Sequence, residues 1–227
     1  MATELIHSLC GSLFEVLFAV LRSHWPILLL IGAVLLLGKI VRLPSVKGRI
    51  GEELVGKMTL NKLDRKQYAV FHDLYLPRPD GKGTAQIDHV VVSPFGIFVI
   101  ETKNMAGWIF GDERSRQWTQ SIYGKKTRFQ NPLHQNAMHL NALSKFLGLP
   151  RERFHNLVFF VGDAKLKTKL PPQVATAGFL ALIRNHQEQC LPAETVFRVN
   201  QTLEALLSQT DKRRAKREHV ANLSGIS

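Results

Sequence analysis

The sequence predicts an α/β fold, a mixed β-sheet flanked by helices, preceded by an N-terminal transmembrane helix. Three observations predict it. A charge-free apolar run stands near the start of the chain, from Trp25 to Gly38. Beyond Pro44, strand-like and helix-like periodicities alternate. Their order, a helix, three strands, a helix and a strand before a mixed tail, is that of a sheet covered by helices. With 227 residues, 45% of them hydrophobic, the chain has material for one sizeable core plus an appendage. It divides into a hydrophobic anchor at 1–45, a principal domain at 46–162, an α/β completion of that domain at 163–210 and a basic tail at 211–227.

The anchor is justified by length and composition. As a helix, residues 25–41 rise about 25 Å, and extension back to Leu21 reaches the roughly 30 Å of a hydrocarbon core. Arg22 and Lys39 lie near its two ends, where long side chains reach headgroups. A cleaved signal peptide fits less well, because about 20 residues containing Glu4 and Glu15 precede the run. Leu13–Leu21 is also largely apolar, which leaves an interfacial helix or a second membrane pass open for the first 24 residues. Lys39, Arg42, Lys47 and Arg49 follow the span, while Arg22 alone among side chains of Lys or Arg precedes it. The positive-inside bias then predicts a single-pass protein of the cell membrane with its C-terminal domain in the cytoplasm.

In the principal domain, Ile50, Leu54 and Met58, with Val55 and Leu63 alongside, trace one stripe of a helix ending near Arg65. Tyr68–Leu76, Ala85–Val92 and Ile97–Thr102 read as strands separated by turn signals at 77–83 and 93–96. Trp108–Phe110 and Gln117–Tyr123 are short further strands. Asn131-Pro132 is an N-cap followed by proline in the first turn, and it opens a helix that closes at Gly148-Leu149-Pro150. Its expected core stripe is Leu133, Ala137, Leu140, Leu143 and Leu147. Phe154–Val161 is a buried strand, and Phe179–Glu188 and Thr202–Gln209 are helices.

Charge narrows the function. Lys and Arg number 30 against 18 Asp and Glu, a net +12, and all but one unit of it lies beyond residue 45. That excludes an acidic disordered chain and favours polyanionic partners, nucleic acid or an anionic lipid bilayer. Two cysteines, Cys10 and Cys190, are too few for a disulfide framework or a four-thiolate zinc site. Lys125, Lys126 and Arg128, with Lys165, Lys167 and Lys169, are candidates for contact with a nucleic-acid backbone, and Trp118 or Tyr123 for base stacking.

Three polar residues stand where strand physics prefers apolar ones: Asp88 in QIDHVVV, and Glu101 and Lys103 in IFVIETK. Period-two alternation puts Glu101 and Lys103 on one face, and His89 on the face opposite Asp88. A two-residue turn at Pro94-Phe95 would set Asp88 across from Glu101, so that all three converge. A three-residue loop with Gly96 in a bulge would instead set Asp88 across from Thr102. Two converging carboxylates repel, and a hard divalent cation such as Mg²⁺ or Mn²⁺ removes that cost. A neighbouring lysine can then position or activate water for attack on phosphorus. The plainer alternative is an Asp88–Lys103 cross-strand ion pair with Glu101 at a solvated strand end.

Gly51-Glu52-Glu53, the block Gln86–Ile109, Trp118 and Asn131–Asn136 (NPLHQN) resemble the nuclease-related domain, NERD, of the PD-(D/E)xK restriction-endonuclease-like superfamily. The resemblance implies a restriction-endonuclease-like sheet and a divalent-metal phosphodiesterase acting on DNA or RNA. It places an acidic residue of the opening helix at Glu52, the metal-binding aspartate at Asp88, and the acidic and basic pair at Glu101 and Lys103. Glu52, Asp88 and Glu101 would be the metal ligands, and Gln135 a further polar member of the site. The alternative of another class is a non-catalytic, membrane-tethered scaffold that binds nucleic acid or protein.

Overall fold

The computed structural model describes residues 22–27, 29–38, 59–77, 84–169, 171–209 and 220. The chain divides into two units, Met1–Lys47 and Gly48–Ser227. In the first, residues 22–27 and 29–38 are helical, with Trp25, Leu30 and Leu35 exposed. Among the described residues no helix is long and apolar enough to cross a membrane. The residues that would extend the expected span to Leu21 and Val41 lie outside those described. So does most of the helix expected over 50–65, at whose end stands a short 3-10 turn, Leu60–Lys62.

The second unit carries two mixed sheets and three helices among its described residues. The first sheet has five strands: β1 (Ala69–Pro77), β2 (Thr84–Ser93), β3 (Gly96–Asn104), β7 (Phe154–Val161) and β9 (Val174–Ala175), in that spatial order. The strands β1, β2 and β3 are antiparallel neighbours, whereas β3, β7 and β9 run parallel. Between β3 and β7 the chain builds most of a second sheet from β4 (Gly107–Phe110), β5 (Gln117–Ile122) and β6 (Lys125–Gln130). Then β8 (Ala164–Leu166) joins beside β4, giving the order β6-β5-β4-β8. The helices are α1 (Pro132–Leu147), α2 (Phe179–Arg184) and α3 (Ala193–Gln209).

The apolar density of β2 and β3 follows from cover on both faces. On one side Val90, Val92, Ile97 and Val99 pack with Leu140 and Leu143 of α1 and Val199 and Leu203 of α3. On the other, Val91, Phe98 and Ile100 pack with Leu60, Leu63, and Phe179 and Ile183 of α2. A third cluster, centred on Ile109, Trp118, Leu133 and Phe160, joins the second sheet to β7 and the start of α1.

The β2–β3 turn decides the register that the sequence left open. Ser93 pairs with Gly96, and the ladder runs to His89 opposite Ile100, so the turn is two residues, Pro94 and Phe95. Ser93 Oγ fixes it by accepting from Phe95 N and donating to Gly96 O. Gly96 is required there: its φ is +126°, and a Cβ would meet the His155 ring at 2.6 Å.

The strands form two sheets where the sequence predicts one, the short β8 and β9 stand where it predicts no strand, and three further elements differ from expectation. The strand β6 holds exposed lysines and an arginine, so it lacks an apolar face to betray it, and its charges guard a sheet edge. Helix α3 begins at Ala193 rather than Thr202; its stripe of Val196, Val199 and Leu203 is diluted by polar and β-branched residues. Helix α2 stops at Arg184, short of Glu188.

Candidate active site

The site lies where β2 and β3 run out of apolar residues beneath α1. Ile97 and Val99 face the α1 side of the sheet, and alternation carries Glu101 and Lys103 onto that same face. Glu101 is buried at 2% exposure, whereas the Lys103 side chain keeps 24%. The amine of Lys103 donates to Glu101 Oε1 at 2.6 Å and to Gln135 Oε1 at 2.9 Å. A lysine has three N–H donors, so one remains for a further acceptor. The other Glu101 oxygen, Oε2, lies 3.7 Å from His139 Nδ1 and is buried with no hydrogen bond among the described residues.

Asp88 stands one step past the last paired residue of β2, and its Oδ2 accepts from the backbone N–H of Thr102 at 2.8 Å. The carboxylate therefore takes over where the β2–β3 ladder ends, and is fixed beside Glu101. On the other edge of β2, His72 faces His89 and Leu74 faces Ile87, which sets Asp73 across from Asp88. Asp73 is left-handed, with φ +57°, and accepts from Gln86 Nε2 at 2.7 Å. At this kink the alternation breaks: Phe71, Leu74 and Leu76 all enter one core cluster.

Helix α1 is aimed by its own N-terminus. Asn131 is wholly buried; its Oδ1 accepts from Leu133 N, and its Nδ2 donates to the carbonyls of Asp112, Glu113 and Ser115. One side chain thus caps the helix and ties down the loop before β5. A turn later Asn136 is also fully buried and donates to Val99 O, Leu157 O and Asn156 Oδ1. It occupies the inward position expected of Ala137, which is only partly buried. These anchors hold Gln135 over Lys103 and, one helical turn on, His139 beside Glu101.

Of the residues singled out in the sequence, Glu101, Lys103 and Gln135 are in contact, Asp88 is held on the neighbouring strand by the Thr102 N–H, and Glu52 lies outside the described residues. Lys103 is held by Glu101 and Gln135 in place of the alternative pairing with Asp88, and Glu101 is enclosed rather than solvated at a strand end. Lys125, Lys126 and Arg128 are exposed on β6. Trp118 is corrected: it is fully buried, donates from Nε1 to Asp112 O and stacks on Phe160, so it cannot meet a base. His89 faces away from the site, as alternation requires. Its ring bonds His72 at 2.8 Å, and burial, then the His72 charge, lower its pKa to about 3.

Sequence reasoning missed His139, Asp73 and Asn136. The first has a signal in the sequence: it is four residues after Gln135 and so shares its helix face. The other two have none, since a left-handed aspartate and a buried asparagine look like ordinary polar residues.

The chain is 47% identical over 118 residues to an uncharacterized protein of Bacillus anthracis, a match covering 51% of this chain and 55% of that one. The chain thus spans about half the length of the curated relative it matches. No solved structure matches it. The family model of the nuclease-related domain matches residues 47–161, half of the chain and the whole stretch from before β1 to the end of β7. The chain therefore belongs to the nuclease-related domain family, NERD.

Proposed function

We propose that the protein hydrolyses phosphodiester bonds of DNA or RNA with a divalent metal, Mg²⁺ or Mn²⁺. The observation that carries this reading is the Lys103 amine bridged between Glu101 and Gln135, with Asp88 fixed alongside on Thr102. A divalent ion fits the carboxylates: the buried Oε2 of Glu101 has no hydrogen bond among the described residues, a costly state for an anionic oxygen that a hard cation relieves. Among the described residues no group of three or more His, Cys, Asp or Glu is gathered for a metal. The proposed ligands are therefore Asp88 and Glu101, with Glu52 named by the motif.

When bound, the ion would polarise a phosphoryl oxygen and balance developing charge. The chain's own residues do the rest. Glu101 and Gln135 hold the lysine and leave one N–H that would serve a water or a phosphate oxygen. His139 flanks the second oxygen of Glu101 and limits its rotation. The basic surface draws the polyanion in.

Purified protein incubated with DNA and RNA should cut in Mg²⁺ or Mn²⁺, and Asp88→Ala and Lys103→Ala should each stop it. Binding without cutting, indifferent to chelator and to both substitutions, would instead support the scaffold. The apolar run 25–41 and the lysines and arginines after it further support attachment to the cell membrane with the C-terminal domain in the cytoplasm. Release of the protein from membranes by alkaline carbonate would contradict that attachment.

A further inference from the structure

The second sheet has an outer face that the site above does not use. Its inner face is apolar, with Ile109, Trp118, Phe129 and Leu166 in the core. Pairing fixes what points the other way. Trp108 pairs with Ser121 on one side and Lys165 on the other, and Ser121 pairs with Lys126, so these four stand in a row across the strands. Phe110, Thr119 and Arg128 form the next row. The strands β4, β5, β6 and β8 contain no aspartate or glutamate.

The aromatic groups on this side face solvent. Trp108 is 51% exposed, with Phe110 edge-on at 6.5 Å and the Lys167 amine 4.7 Å from its ring centre. Tyr123, at the tip of the β5–β6 turn, is fully exposed, and it is held at φ +49°, where a non-glycine residue is strained. Trp108, Ser121, Tyr123, Lys165 and one acid, Asp163, line an open groove of about 520 Å³. Solvent-exposed aromatic rings set among cations, on a sheet with no strand carboxylates, suit a chain of phosphates whose bases are free to stack.

We infer that this face binds single-stranded nucleic acid, with bases stacking on Trp108 and Tyr123 and phosphates paired to Lys126, Lys165 and Lys167. The inference rests on the nucleic-acid reading proposed above and narrows its substrate to single strands or unpaired ends. A duplex hides the faces of its bases and leaves both rings idle.

The test is fluorescence anisotropy of a labelled single-stranded oligothymidylate with the full chain in zwitterionic detergent micelles and EDTA. An unlabelled duplex of equal length and phosphatidylserine micelles serve as competitors. The expected result is single-strand preference, weakened at least about fivefold by Trp108→Ala and by Tyr123→Ala. The slope of log K against log salt should become shallower by about 0.7 in Lys126→Ala and in Lys165→Ala, one phosphate fewer being neutralised in each; both substitutions alter only solvated side chains. Unchanged affinity in all four variants overturns the inference, as does equal affinity for duplex. So does phosphatidylserine binding that needs Trp108 when oligothymidylate binding does not, which would give the face to lipid. Cleavage is scored separately: cutting without Trp108-dependent binding sinks this inference and spares the hydrolytic reading, and Trp108-dependent binding by a chain that cuts nothing does the reverse.

Discussion

Lys103 is committed twice, to Glu101 and to Gln135, and this makes the roles of the three separable. Removing the amine in Lys103→Ala should lower kcat by about 10²-fold or more. Gln135→Ala leaves the charge and one anchor, so a loss of about tenfold is expected; steady-state kinetics of oligonucleotide cleavage measure both. Equal losses would make Gln135 more than a positioning residue. On the opposite face, His89 makes stability depend on pH. Its folded pKa is about 3 against an ordinary 6.5, so the unfolded chain takes the proton first as pH falls. The contribution is complete above pH 7 and is lost on the way down, about 2 kcal/mol of it by pH 5. Chemical denaturation at pH 5, 6 and 7 should show this slope, and His89→Gln should flatten it.

At the scale of elements, α1 is the lever of the site, and its aim depends on two buried asparagines. Asn136→Ala strips donors from Val99 O, Leu157 O and Asn156 Oδ1, and should cost about 2 kcal/mol, read as a lowered denaturation midpoint. Asn131→Ala removes a cap and three loop bonds, and should cost a similar amount. Which elements could be foreseen follows the same physics. The strand β7 ends where the unbroken apolar run Leu157–Val161 ends, and α1 opens at Asn131-Pro132 and closes at a left-handed Gly148. Burial and backbone chemistry are written locally there. By contrast β6 is a strand only because β5 lies beside it, and nothing in KKTRFQ announces that partner. That Glu101 and Lys103 share a face was legible from alternation alone, whereas the register that sets Asp88 against Glu101 turned on a loop length the sequence left open, and the kink at Asp73 depends on a neighbouring strand.

For the molecule as a whole, a +12 chain presents two different polar surfaces in its second unit. One is the half-buried cluster of Asp88, Glu101, Lys103, Gln135 and His139, which we propose takes a small ion and a phosphate. The other is the open aromatic and basic face of the second sheet, to which we assign a length of polymer. Affinity for nucleic acid should therefore fall steeply with salt in the wild-type chain and equally steeply in Asp88→Ala, because that carboxylate belongs to chemistry rather than to capture. A salt titration of oligonucleotide binding checks this.

The most direct measurement is cleavage of single-stranded and duplex DNA and RNA by the purified full chain, with and without Mg²⁺ or Mn²⁺, beside Asp88→Ala and Lys103→Ala. The expected result is metal-dependent cutting that chelator abolishes and that neither variant retains. Cutting that survives in both variants, or no cutting of any of these substrates in either metal, would contradict a metal-dependent phosphodiesterase built on Asp88, Glu101 and Lys103.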